Sequence, residues 1–114
     1  MDRLINVNLA DVKAIATSHT AGFKQVISAG FDQAMVIKQI AVGMLNAGDV
    51  ITPHIHADMD ECYHFLEGTG TMYLDDLAIA LKGEQVINVP AGTEHRIVCT
   101  APLRFFYLSL ELKD

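Results

Sequence analysis

Apolar and polar residues alternate with a period of two through much of the chain, most plainly in Glu61-Cys62-Tyr63-His64-Phe65-Leu66. That period sends successive side chains to opposite faces of a strand. Short runs of this kind recur between turn residues, and no amphipathic helix of ordinary length is legible. Strands are predicted over residues 12–17, 23–27, 35–44, 50–55, 61–66, 70–74, 78–81, 85–89, 95–99 and 104–112. Residues 9–16 also fit a short helix, because Ala, Asp and Lys favour strands weakly. Asn46-Ala47-Gly48-Asp49, Glu67-Gly68-Thr69-Gly70, Asp75-Asp76 and Lys82-Gly83-Glu84 supply residues that tolerate left-handed or side-chain-closed turns. In Val89-Pro90-Ala91-Gly92, proline suits the second position and glycine the fourth of a type I turn, which delivers the chain into the His95 strand. About ten short strands in a chain this size predict an all-β sandwich, barrel or jelly roll.

With 114 residues, the chain is expected to form a single domain spanning 1–114. Its 51% hydrophobic content is high beside 14 acidic and 8 basic residues, so a homodimer that buries apolar surface is expected. The net charge of −6 and the scattered Lys and Arg argue against nucleic acid and against an anionic membrane surface as partners. No apolar segment approaches the ~18 residues of a membrane span. The N-terminus lacks the pattern of a signal peptide, and the expected location is cytoplasmic. Cys62 and Cys99 are the only cysteines. If Glu61 and His95 both face inward, Cys62 faces out and Cys99 faces in, which disfavours a disulfide between them.

Candidate chemistry concentrates in a few positions. His54 and His56 are two residues apart, so one strand face offers both to a single ion. Glu61 follows after a polar stretch that can turn the chain, and His95 lies on a separate predicted strand. Imidazole nitrogen and carboxylate oxygen hold divalent zinc, iron, manganese or nickel with coordination positions left open. Asp58 and Asp60 are alternative carboxylates, better explained as a solvated turn. His64 has the opposite parity to Glu61 and is expected to face outward, and His19 lies in a polar loop. Tyr63, Phe65 and Ile97 share the inward parity. Gln39 or Lys38, and Phe105 and Tyr107 or their alternate neighbours, also qualify as cavity residues, and parity does not choose between them.

Gly48, five residues, His54-Ile55-His56, four residues, Glu61, six residues and Gly68 resemble the first cupin motif at every fixed position. Gly83, Pro90, Ala91, Gly92 and His95 resemble the second, with one extra residue before Pro90 and Cys99 where asparagine is common. The resemblance runs over 48–68 and 83–99. It implies a double-stranded β-helix, or jelly-roll barrel, with a metal held by His54, His56, Glu61 and His95, and a homodimer. It leaves the reaction open. The expectation is a metal-dependent enzyme on a small oxygenated metabolite, with isomerase or lyase chemistry on a sugar derivative favoured and Tyr63, Tyr107 or a metal-bound hydroxide as the proton carrier. An Fe(II)-dependent dioxygenase is the nearest competitor. A cupin that binds a small ligand without turnover is the second class.

Overall fold

A computed structural model describes residues 3–114. Nine strands follow in order: β1 (Ile5–Asn8), β2 (Ile15–Ala16), β3 (Phe23–Lys24), β4 (Met35–Leu45), β5 (Val50–His54), β6 (Met59–Leu74), β7 (Leu77–Lys82), β8 (Gln85–Val89) and β9 (His95–Leu112). The architecture is an all-β jelly roll. Seven strands join in one sheet along β1-β8-β6-β9-β4, with β5 added to β9 and β7 added to β6, while β2 and β3 form a separate small hairpin.

The two long strands make the barrel. β6 and β9 pair antiparallel from Met59↔Glu111 to Leu74↔His95, with register irregularities between Phe65 and Gly70. The first half of β6 is flanked by β8, and the second by β7. Likewise the C-terminal half of β9 carries β4, and its N-terminal half carries β5. One hydrogen-bonded ribbon therefore serves both facing layers, and it bends where the register shifts. Gly68 permits the bend. Its φ is +98°, and a Cβ there would collide with the Pro102 carbonyl of β9.

The expected strands 61–66 and 70–74 are thus one strand, as are 95–99 and 104–112, because backbone pairing continues through the predicted breaks. Inward parity changes within β6: Glu61, Tyr63 and Phe65 are buried before the bend, Met72 and Leu74 after it. A uniform alternation therefore could not carry across the Gly-rich stretch. Near the N-terminus, β1 pairs with β8, an element absent from the sequence expectation. In residues 9–16 the helical part is confined to a 3-10 turn at Leu9–Asp11, capped by Asn8, whose Oδ1 accepts from the Ala10 amide, and the stretch ends in β2. The hairpin of β2 and β3 is shorter than predicted and its four residues are exposed.

The core is built from Phe65, Met72, Leu74, Leu81, Ile87, Val89 and Ile97, each no more than 1% exposed. Each large apolar side chain removed from water stabilises the fold by about 1.5–3 kcal/mol before entropy is counted. The Pro90 turn differs by one residue from the expectation. Thr93 donates its amide to the Pro90 carbonyl at 3.2 Å, which makes Pro90 the first residue and places Gly92 third, with φ +82°. A third-position glycine at positive φ belongs to a type II turn.

Candidate metal centre

The strands deliver the four candidate ligands by different routes. His54 ends β5, directly opposite His95 at the start of β9. Their rings lie 4.0 Å apart between centroids. His56 lies beyond the end of β5, so alternation along a strand does not place it. Its carbonyl accepts the Gly92 amide at 2.8 Å, which ties it to the turn preceding His95. Glu61 comes from β6, between β8 and the distal half of β9. One nitrogen from each histidine and one carboxylate oxygen all fall within 4.8 Å of one another. The sequence spacing and the fold agree on this cluster.

Hydrogen bonds set the ring orientations. His54 Nδ1 lies 2.9 Å from the Thr52 carbonyl and His95 Nδ1 lies 3.2 Å from the Thr93 carbonyl. A carbonyl only accepts, so each Nδ1 carries the proton and donates. The Nε2 of His95 then faces Glu61 Oε1 at 3.0 Å, with His56 Nε2 at 3.4 Å from the same oxygen. Backbone carbonyls that fix the tautomer and free Nε2 are the usual outer support of a metal-bound histidine. Three imidazoles and a carboxylate are a donor set for zinc, iron, manganese or nickel, and a cation among them satisfies Nε2 and Oε1 together. The residues present fit a divalent ion.

Glu61 is the anionic member. Burial opposes its ionisation most, yet the close His95 ring, the hydrogen bond from Tyr63 and the nearby His56 outweigh that and hold its pKa below the ordinary value. Tyr63 donates to Glu61 Oε1 at 3.0 Å, and Ser109 donates to Oε2 at 3.4 Å. Burial, followed by the Glu61 charge, raises the Tyr63 pKa well above that of a free phenol. Its proton stays on the oxygen. Ser109 was not singled out in the sequence, where it reads as one polar residue in an apolar strand. Its position opposite Glu61 in the β6–β9 register is what gives it a role.

A cavity of about 450 Å³ opens onto the cluster. Gln39, Tyr63, Phe105 and Tyr107 line it, together with Gly43, Leu45 and Ile51. Gln39, Phe105 and Tyr107 line the cavity, whereas Lys38 is absent from its lining and approaches Glu111 at 3.9 Å. Phe65 and Ile97 belong to the core. Gly43 leaves room for Phe105, since a Cβ there would sit 2.5 Å from the ring.

The remaining polar candidates separate from the site. His64 pairs with Glu84 at 2.7 Å on the outer face, and His19 is exposed in a loop. Asp58 is exposed, as a solvated turn requires. Asp60 is not: it lies within β6, fully buried, because Arg3 binds it at 2.8 and 3.1 Å and Asn88 and the Ala91 amide donate as well. Cys62 and Cys99 are free thiols, the first half-buried and the second buried. Among the described residues, no helix is long and apolar enough to cross a membrane.

Comparisons with known proteins agree with this architecture. An uncharacterized protein of Methanocaldococcus jannaschii, MJ1618, is 30% identical over 76 residues, which is 65% of this chain. The chain spans 61% of that relative's length. A predicted oxalate decarboxylase from Thermotoga maritima superposes with a TM-score of 0.61 at 23% identity, covering 68% of each chain. Salicylate 1,2-dioxygenase from Pseudoaminobacter salicylatoxidans, in complex with gentisate, gives a TM-score of 0.58 at 14% identity over 65% of this chain and 23% of its own. These two likenesses establish shared fold. The family model described as "Cupin domain" matches residues 41–110, more than half of the sequence, and takes in all four clustered ligand residues: the chain belongs to the cupin family.

Proposed function

We propose that the protein is a divalent-metal dioxygenase, with Fe(II) as the working ion, acting on a small oxygen-bearing molecule. The observation that carries this reading is the pairing of a three-histidine, one-carboxylate cluster with a cavity that offers no free general base. Isomerisation or lyase chemistry on a sugar derivative is served best by a positioned side chain that takes up a proton, with a metal-bound hydroxide as the alternative acceptor. Besides the ligands, the titratable groups lining the cavity are Tyr63 and Tyr107. Tyr63 is occupied as a donor to Glu61, and its pKa is raised. An oxygenase whose chelating substrate loses an acidic proton to solvent on binding needs no side chain that carries a proton from one substrate atom to another. The dioxygenase and the predicted oxalate decarboxylase among the fold neighbours are compatible with metal chemistry on small oxygenated molecules.

His54, His56, Glu61 and His95 would hold the ion. Iron bound there supplies the redox capacity that oxygen chemistry requires. The chain supplies everything else. Thr52 and Thr93 orient two imidazoles, while Tyr63 and Ser109 orient the carboxylate. Tyr63 stacks on Tyr107 at 5.5 Å and packs against Phe105 at 5.7 Å, so an aromatic wall shields the cluster from water on that side. Tyr107, whose hydroxyl has no hydrogen-bond partner in the described chain, is the proposed residue in contact with substrate.

The test is oxygen consumption by iron-loaded protein across catechols, thiols and diketones. Substrate-dependent uptake supports the reading. No uptake, with product formed instead under manganese or zinc, returns the assignment to isomerase or lyase. Tight ligand retention without product under every metal makes the protein a binding module.

The homodimer is also a proposal. Ile40 and Val42 project from the outer face of β4 and are 63% and 56% exposed. Among the described residues, β4 pairs only with β9, so its other edge is free. An apolar strand with an open edge suits a second copy related by a two-fold axis. Light scattering should give a dimer mass, and Val42→Lys should shift it to monomer; a monomeric parent at high concentration would refute it.

A further inference from the structure

Two hydrogen-bonding groups line the cavity without being used by the protein. The Gln39 amide and the Tyr107 hydroxyl make no hydrogen bond to any described residue. Gln39 owes its place to an irregularity. The register of β4 against β9 passes from Ile37↔Leu110 directly to Gln39↔Ser109, so Lys38 is an extra residue in the strand. An uninterrupted ladder would put Lys38 opposite Ser109, facing Glu61, and would turn Gln39 outward opposite Leu108. The bulge therefore exchanges an ammonium group for a neutral amide at the cavity wall. Lys38 is left half-exposed beside Glu111, outside the set of residues that line the cavity.

Charge gives that exchange a consequence. Three neutral imidazoles and one carboxylate around a divalent ion leave one net positive charge. No Lys or Arg lines the cavity to add to it. A chelator that is uncharged in solution and releases one proton to the bulk solvent as it binds brings the total to zero. A dicarboxylate or phosphate ester leaves surplus negative charge in a partly desolvated space, which is costly without a paired cation. The stacked rings of Tyr63 and Tyr107, with Phe105 lying over Gly43, make the wall flat.

We infer that Gln39, turned inward by the bulge at Lys38, is a specificity-determining residue which, together with Tyr107, hydrogen-bonds a carbonyl or hydroxyl oxygen of a flat, uncharged chelator of the β-diketone or hydroxypyranone class. The inference rests on the metal-site reading above. A site built to hydrogen-bond such a group also discriminates against ligands that cannot match it.

The experiment uses zinc-loaded protein, which binds without redox turnover, and titration calorimetry with 2-methyl-3-hydroxypyran-4-one and with oxalate. Metal content is measured on the same samples. The parent should bind the hydroxypyranone more tightly than oxalate. Gln39→Leu should weaken hydroxypyranone binding about tenfold with metal content unchanged. Gln39→Lys should reverse the preference in favour of oxalate. Thermal melting of both variants reports on folding, and Gln39 is exposed enough for both to be tolerated. Equal affinity in the parent and Gln39→Leu at full metal occupancy, or a parent that prefers oxalate, would overturn the inference. A parent that takes up no metal would instead bring down the site reading, and the inference with it, and metal analysis reveals that outcome before any ligand is added.

Discussion

Asp60 and Glu61 are adjacent carboxylates on opposite faces of β6, and both are buried. Their surroundings differ. Asp60 receives two bonds from Arg3, one from Asn88 and one from the Ala91 amide. Burial is the largest single influence on it and opposes its charge, but these donors prevail and lower its pKa. Glu61 is held by Tyr63 and Ser109, and its Oε1 faces the Nε2 atoms of His56 and His95. One carboxylate is saturated by donors that tie the N-terminal segment and the Pro90 turn to the barrel. The other is left able to share an oxygen with a cation. Burial alone does not make a carboxylate a ligand; the identity of its remaining partners does.

Variants test this division. The largest effect is expected for His56→Ala or Glu61→Gln, where metal affinity should fall by more than the roughly 100-fold that loss of an outer partner can cost. Metal analysis of untagged protein measures it, starting from near-stoichiometric metal in the parent. A parent that stays metal-free and refuses reloading would sink the assignment. Asp60→Ala should cost about 3 kcal/mol of stability in urea unfolding, because Arg3 loses a buried partner, yet the folded variant should keep its metal. Loss of the ion from folded Asp60→Ala protein would erase the contrast.

Gly43→Ala should cost about 2 kcal/mol by pushing on the Phe105 ring. It should also alter ligand binding more than metal binding, since Phe105 lines the cavity without ligating; an unchanged melting point would mean that the ring gives way freely. The smallest effect belongs to His64→Ala on the outer face. Its hydrogen bond with Glu84 is solvent-accessible, so the change in stability should stay below about 0.5 kcal/mol. A larger loss would show that the outer face contributes more than the comparison allows.

Much of the site was legible because its signals are local. His54, His56 and Glu61 lie within eight consecutive positions, and the turn residues around them have direct conformational reasons. In sequence Asp60 reads as part of a solvated turn, because its main partner, Arg3, is 57 residues away. The choice between Gln39 and Lys38 was illegible for a related reason: it depends on how β4 is registered against a strand about seventy positions later. Parity also failed across residues 66–71, where a bend in two paired strands resets which face is inward.

The sequence by itself determined the all-β class, most of the turns, and a candidate ligand set at spacings that resemble the cupin motifs. Alternation and turn chemistry act over a few residues, so they can be read in order along the chain. Only the tertiary structure decided which carboxylate was already satisfied, that the long strands run unbroken through the bend, and that a neutral amide faces the cavity in place of an ammonium. Those outcomes are fixed by hydrogen-bond partners and strand register, which depend on segments that meet only when the barrel closes.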